Sequence, residues 1–225
     1  MPAVLLIVLL GVGAFALYSY LYSESARTKR ALRKTPRRTI ADFSEREPGK
    51  VVGTLSYLGE PLRSPLTGRT CAYYEIHVEE YRSGSGSNSA GAWHTMIKED
   101  RGQDFSLKDQ SGYAIVNPVG ASLAITIDSH TRSGTFDDPT DLERSFLNSH
   151  GRDGKAWVFN KKLRYKEGIL EAGESVAVLG RGTKEPDPSG VHQQTGYREA
   201  SPMRLRLGRS AKLPLMISDD VSTLG

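Results

Sequence analysis

Thr70-Cys-Ala-Tyr-Tyr-Glu-Ile-His-Val-Glu-Glu-Tyr81 is the stretch that decides the fold class. Its apolar and polar residues alternate, and it is rich in Tyr, Ile and Val. That period of two predicts a half-buried β-strand rather than a helix. Upstream, Glu60-Pro-Leu-Arg-Ser-Pro-Leu-Thr-Gly68 holds two prolines in nine residues, which excludes a helix and a central strand and reads as a loop. Downstream, Ser83 to Gly91 (SGSGSNSAG) has the composition of a flexible hairpin tip. Trp93 to Lys98 then returns as the partner strand.

The same punctuation continues in both directions. Val51 to Leu58, Phe105 to Leu107, Tyr113 to Val116 and Leu123 to Ile127 read as strands. Asp109-Gln-Ser-Gly112 is a hairpin turn, and Pro118-Val-Gly120 closes that unit. Later strands are expected over Lys155 to Leu170, Ser175 to Leu179, Met203 to Leu207 and Leu213 to Ile217. Pro139 to Ser149 is the one helical candidate, with Asp138 as its cap and Leu142, Phe146 and Leu147 as its apolar stripe. Many short strands around one helix predict a mainly β fold: one antiparallel barrel- or sandwich-like domain with a short inserted helix. No internal repeat is present.

The N-terminus has a different character. Pro2 to Tyr22 (PAVLLIVLLGVGAFALYSYLY) is 21 residues without a formal charge. A helix of that length spans ~31 Å, the thickness of a bilayer core. Tyr18, Tyr20 and Tyr22 would meet the headgroups. Arg27, Lys29, Arg30, Arg33, Lys34, Arg37 and Arg38 follow as a basic collar suited to lipid headgroups, each worth ~1 kcal/mol beside an anionic leaflet. The organisation expected is a transmembrane helix (1–22), a basic juxtamembrane linker (23–50), the β domain (51–218) and a tail (219–225). The positive-inside rule places the chain as single-pass, with the β domain on the cytosolic side. A cleaved signal peptide fits less well, because no basic residue precedes the run and it continues beyond Ala14-Phe15-Ala16. Gly11-Val-Gly13-Ala-Phe-Ala16 matches a dinucleotide fingerprint, yet the βαβ alternation that motif needs is missing downstream.

The charge and residue counts exclude several functions. The 225 residues carry a net charge of +4, but residues 39–225 hold 23 bases against 25 acids. A nucleic-acid-binding body is therefore not expected. One cysteine, Cys71, excludes a disulfide framework, a Cys₄ zinc site and an iron–sulfur cluster within the chain. Cys71 and His77 lie about 20 Å apart along one strand, which argues against a nucleophile–base pair and for a small buried hydrophobe. His77, His94, His130, His150 and His192 are dispersed, with no metal-ligand spacing. Glu79-Glu80 and Asp137-Asp138 read as solvated acids or a helix cap. Arg204, Arg206 and Arg209 alternate as a solvent-facing strand would.

Set side by side, several segments resemble one known family. Gly53, Pro61-Leu-Arg-Ser64-Pro-Leu-Thr-Gly68, Cys71-Ala-Tyr73-Tyr74 and Val78-Glu79 resemble the opening of the GIDE domain, also called BAM ("beside a membrane"). Trp93, Phe105-Ser-Leu107-Lys-Asp109, Gly112-Tyr-Ala114-Ile-Val116-Asn-Pro118 and Gly120 continue it in order. Tyr165-Lys-Glu167, Ile169-Leu170, Gly173-Glu174-Ser-Val176-Ala-Val178-Leu-Gly180 and Pro214-Leu-Met-Ile217-Ser218 complete it. The resemblance implies a fold beside a membrane helix, since the matching positions are turns and strand cores. The family includes mitochondrial ubiquitin and SUMO ligases, whose transferase activity resides in a separate zinc-binding RING. Cys71 alone cannot build a RING, so a transferase label inherited from the family lacks its residues here.

The expectation is a membrane-anchored interaction or regulatory module without catalytic or metal residues and without a cofactor. Its partners would be membrane lipids and a protein not named by the sequence. Ser64, Pro65, Leu66, Thr67 and Gly68 form the candidate interaction loop. The alternatives are a RING-related ubiquitin transferase or ligase accessory, and a ligand-binding β-barrel with its site around that loop and the 83–92 hairpin.

Overall fold

Ser175-Val-Ala-Val-Leu-Gly180 shows how the chain closes on itself. Val176 and Val178 point into one core while Ala177 and Leu179 pack on the other side. A strand buried on both faces reads as a continuous apolar run rather than an alternation. In the computed structural model, which describes residues 23–84, 91–134, 138–152, 161–187, 203–210 and 213–225, this run lies in the central strand of the larger sheet. Pro2–Tyr22, the expected hairpin tip at 85–90, the first part of the expected strand at 155–160, and His192 lie outside the described residues.

The elements run α1 (Glu24–Lys34), β1 (Gly49–Tyr57), β2 (Leu62–Arg63), β3 (Thr70–Cys71), β4 (Tyr73–Arg82) and β5 (Ala92–Gly102). They continue with β6 (Phe105–Lys108), β7 (Tyr113–Val116), β8 (Ser122–Ala124), β9 (Ser129–Ser133) and α2 (Asp141–Ser149). β10 (Leu163–Leu170), β11 (Ser175–Pro186), β12 (Met203–Gly208), β13 (Met216–Ser218) and a 3₁₀ turn at Val221–Thr223 complete the described chain.

Strands β1, β6, β7, β12 and β11 pair in that order, and β11 pairs back with β1, so five strands close a barrel. Phe105, Leu107, Leu55, Val116, Val178 and Leu207 are among the side chains filling it, all at most 1% exposed. β13 and β8 extend the β11 side as an annex. A second sheet, β5-β4-β10-β9, stays open. α2 and the 64–68 loop cover one of its faces over a core of Tyr74, Ile76, Val78, Phe146, Leu147 and Tyr165. The mainly β expectation holds and a barrel is present, but an open four-stranded sheet stands beside it, so the body is more than the one barrel- or sandwich-like unit expected.

Two pairings are parallel rather than antiparallel, β7–β12 and β8–β13. A tight hairpin forces antiparallel pairing, whereas β8, β9, α2, β10 and β11 all lie between β7 and β12, so the chain can return in either direction. The Thr70–Tyr81 run is also divided. Thr70–Cys71 pairs back on β2, and β4 starts at Tyr73 after Ala72 donates its N–H to the Leu170 carbonyl at 2.8 Å.

The expected linker is part of the body. Residues 24–34 form a helix capped by Ser23, whose hydroxyl accepts from the Ala26 N–H at 3.2 Å. Thr28 and Leu32 are buried against the annex and the outside of β1 and β11. Beyond it, Ile40 and Phe43 enter the barrel core. A Cβ on Gly182 would sit 2.5 Å from the Phe43 ring, so glycine is required there for that entry. The expected tail is docked as well. The Lys50 side chain, fully buried, donates to backbone oxygens of Thr223 (3.2 Å) and Gly225. Composition alone made both segments look like tethers, since their few apolar residues are too widely spaced to show a period.

The inserted helix is present, with a different cap and stripe. Thr140 rather than Asp138 caps it, in a reciprocal box with Glu143. Leu142 is 45% exposed, and Glu143 takes its place on the buried side.

Candidate functional site

The Ser64–Gly68 loop was the candidate contact surface, and its own chemistry fastens it to the body. Leu62↔Cys71 and Arg63↔Thr70 pair at its base, and Gly68 turns it at φ +71°. The Gly68 N–H donates to the Ser64 carbonyl at 2.9 Å. Leu66 is packed into the second core. The Ser64 and Thr67 hydroxyls donate to the two carboxylate oxygens of Glu167, a fully buried residue in β10. Glu167 thus acts as an internal anchor through two charge-assisted hydrogen bonds. Sequence reading did not single it out as functional, because a lone Glu in a strand carries no sign of facing inward. The alternation Tyr165, Glu167, Ile169 was the available signal, since it places the glutamate on the buried side of that strand.

The seven collar residues are not one uniform patch. Arg27, Arg33 and Lys34 are exposed on α1. Lys29 pairs with Asp220 at 2.5 Å, joining the helix to the 3₁₀ turn. This ammonium and the Ser222 donors hold the Asp220 carboxyl at about 2, well below the ordinary range. Arg30 is half-buried and bonds the Ala26 carbonyl at 3.3 Å. Arg37 donates to the Val52 carbonyl at 3.2 Å, and Arg38 pairs with Glu47 at 3.3 Å. Arg33 also bonds a helix carbonyl, that of Lys29 at 3.4 Å, so five of the seven are engaged in holding the body or helix together, while Arg27, Arg33 and Lys34 are the exposed ones on α1.

The nucleophile and metal candidates have structural settings. Cys71 is fully buried, and burial followed by the nearby Glu167 and Glu171 charges pushes its thiol up to about 12. Such a thiol is neutral and inert at physiological pH. His77 pairs with Glu75, and His150 pairs with Glu99 at 3.0 Å. His94 and His130 are exposed. Among the described residues no group of three or more His, Cys, Asp or Glu is placed to hold a metal ion. Glu79 and Glu80 are not solvated acids as expected. Glu79 binds Arg164 and, at 3.0 Å, Lys166, while Glu80 binds Lys161 at 2.7 Å and Arg82 at 3.3 Å. Arg204 and Arg206 share Glu185 across β11 and β12 instead of facing solvent alone.

Two concavities stand out among the described residues. One, of about 460 Å³, lies beside the Asp109–Gly112 turn and the Lys184 and Arg204 side chains. Asp109 is fully committed there, accepting from the backbone N–H groups of Ile40 (2.9 Å), Ser111 (2.7 Å) and Gly112 (3.0 Å). The other is a groove of about 430 Å³ between the open sheet and the annex. Leu123, Ile125 and Ile127 form one wall. Glu75, His77, Lys98 and Asp100 form the other, and Glu24 and Ser25 stand at its edge. Glu75 is held below the ordinary carboxylate range, first by the His77 hydrogen bond and further by Lys98. The groove continues onto the outward face of the open sheet, where Arg164 lies over Trp93 at 4.4 Å and Lys162 over Tyr81 at 5.9 Å.

Comparison with known protein families, curated proteins and solved structures returns no match.

Proposed function

We propose that this chain is a membrane-anchored interaction module of the GIDE/BAM type, held by Pro2–Tyr22 and acting through its β body. The observation that supports this reading is the junction at Ser23. An uncharged 21-residue apolar stretch runs directly into α1, a docked helix whose outward residues Arg27, Arg33 and Lys34 are cationic. No helix among the described residues is long and apolar enough to cross a membrane, so the anchor rests on the Pro2–Tyr22 sequence. Three outward bases, each worth ~1 kcal/mol beside an anionic leaflet, would seat the body against the cytosolic surface. Anchoring confines the body to a thin layer and raises its effective concentration for neighbouring membrane proteins. The buried Cys71 thiol and the paired histidines supply no activated nucleophile for transferase chemistry.

Alkaline carbonate extraction of native membranes tests the anchor. The full chain is expected in the pellet and in the detergent phase, and release into the carbonate supernatant would refute the span. Protease added to sealed inside-out vesicles should digest the body. Complete protection there would reverse the topology.

A further inference from the structure

The outward face of the open sheet has an unusual charge order. Its register aligns Thr95, Glu79, Arg164 and Arg132 straight across β5, β4, β10 and β9. The next row is Lys98, His77, Lys166 and His130. Like charges on one sheet face repel, and this row carries two lysines and no acid, so it calls for negative partners. The face itself supplies few. Glu79 serves Arg164 and Lys166, and Glu75 serves His77 and, at 3.5 Å, Lys98. Toward the β9 edge, His130 and Arg132 are exposed, and so is Lys162 above the Tyr81 ring.

The two ends of this face have opposite sign. Toward one end Arg132, Lys162 and Arg164 lie around Glu79, the one acid of that part of the face among the described residues, with Lys166 one row nearer the groove. At the groove end, Glu24, Glu75 and Asp100 surround the single lysine Lys98, beside the apolar wall of Leu123, Ile125 and Ile127. The six-residue step along β4 from Tyr81, opposite Lys162, to Glu75 spans about 20 Å, with the Arg164 and Lys166 rows between.

That polarity selects among partners. A bilayer or a nucleic-acid strand is negative throughout, so it would gain at the Arg132 end and be repelled at the Glu24 end. Base stacking is also poorly served, because Trp93 already holds Arg164 on its ring and meets Tyr81 edge-on at 5.4 Å. A polypeptide can change sign along its length and place apolar side chains between. We propose that this face docks an extended polypeptide segment of a protein partner. The segment's acidic residues lie over Arg132, Arg164 and Lys166, and its apolar then basic residues run into the groove beside Ile125 and Glu24. The assignment rests on reading the body as an interaction module and names its surface and the chemistry of its partner.

The test uses the full chain in neutral detergent micelles and fluorescein-labelled twelve-residue peptides read by anisotropy. One peptide has four glutamates, then four residues alternating Leu and Ser, then four lysines. All-glutamate and all-lysine blocks and a twelve-mer of oligo-dT are the comparisons. The mixed peptide should bind tightest, and raising salt from 50 to 300 mM should weaken it several-fold. Arg132→Glu combined with Lys162→Glu should weaken it at least tenfold while leaving the thermal midpoint within a few degrees. Absence of binding, equal binding by the double variant, or tighter binding of oligo-dT would each overturn the proposal. Carbonate extraction of the same double variant separates the two readings. Retention in the pellet with lost peptide binding supports the face, and release with intact peptide binding removes only the anchor.

Discussion

The barrel and the open sheet are built from the same kinds of strand, yet they treat solvent in opposite ways. The barrel closes, so its five strands have no free edge within the ring, and its interior is apolar from Leu55 to Leu207. The open sheet buries one face under α2 and the 64–68 loop and leaves the other to water, with β5 and β9 as its outer strands. Closure removes the places where a partner could add. The barrel is the closed, apolar unit, and the outward charge rows of the proposed docking face lie on the sheet that did not close. A closed core and a half-solvated charged face are thus divided between two sheets of one chain.

That division can be broken most severely inside the barrel. Phe105→Ala removes a fully buried ring and should cost about 3–5 kcal/mol in urea unfolding. Lys98→Ala on the outward sheet face should change stability by less than about 0.5 kcal/mol. Equal costs at the two sites would end the distinction. Glu167 is the sharper probe of the sheet's buried side. Glu167→Ala orphans the Ser64 and Thr67 hydroxyls and should cost about 2–3 kcal/mol, whereas Glu167→Gln keeps an acceptor and should cost less. Amide exchange in the 64–68 loop should speed up with the alanine.

Thr140→Ala removes the hydroxyl that accepts from the Glu143 N–H at 3.2 Å, and about 1 kcal/mol of stability should go with it. The smallest effect concerns the α1 dock. The Asp220 carboxyl is held at about 2, chiefly by Lys29, so its contribution is complete above the ordinary carboxylate range and disappears as pH falls from about 4 to 2. Asp220→Asn should therefore remove acid sensitivity in that window. At neutral pH it should cost under about 1 kcal/mol, because both side chains are about a quarter exposed. Glu174 and Asp219 oppose it, since burial raises both, and a raised carboxyl favours the folded state as pH falls through its titration. Comparing Asp220→Asn with the parent between pH 5 and 2 isolates the one sign from the other. In the native state Cys71 should resist a thiol reagent at pH 8 and react only on unfolding, since its thiol sits at about 12.

Several strands were legible where one face met water, but the polar edge strand β9 was not, and the strand expected over Leu123–Ile127 is the shorter β8. Tyr113–Val116 has the boundaries its sequence implies, and β4 and β5 follow their alternation apart from a bulge beside Val78. The candidate loop was legible as a turn from Pro65 and Gly68, but not as a locked one, because the locking carboxylate lies 100 residues from Thr67. The same separation hid the charge rows. His77, Lys98, Lys166 and His130 look scattered along the chain and become neighbours only through register.

By itself, the sequence determined the β character, the main turns, the inserted helix and the apolar N-terminal stretch. Each of these is written in a local period or in a run of composition, and local sterics and hydration read it without help from the rest of the chain. Only the tertiary structure decided which sheet closes, that residues 23–50 dock instead of spanning a gap, and which charges share a face. Those outcomes depend on pairings between strands far apart in the chain. A shift of one residue in any of them would send every side chain of that strand to the opposite side.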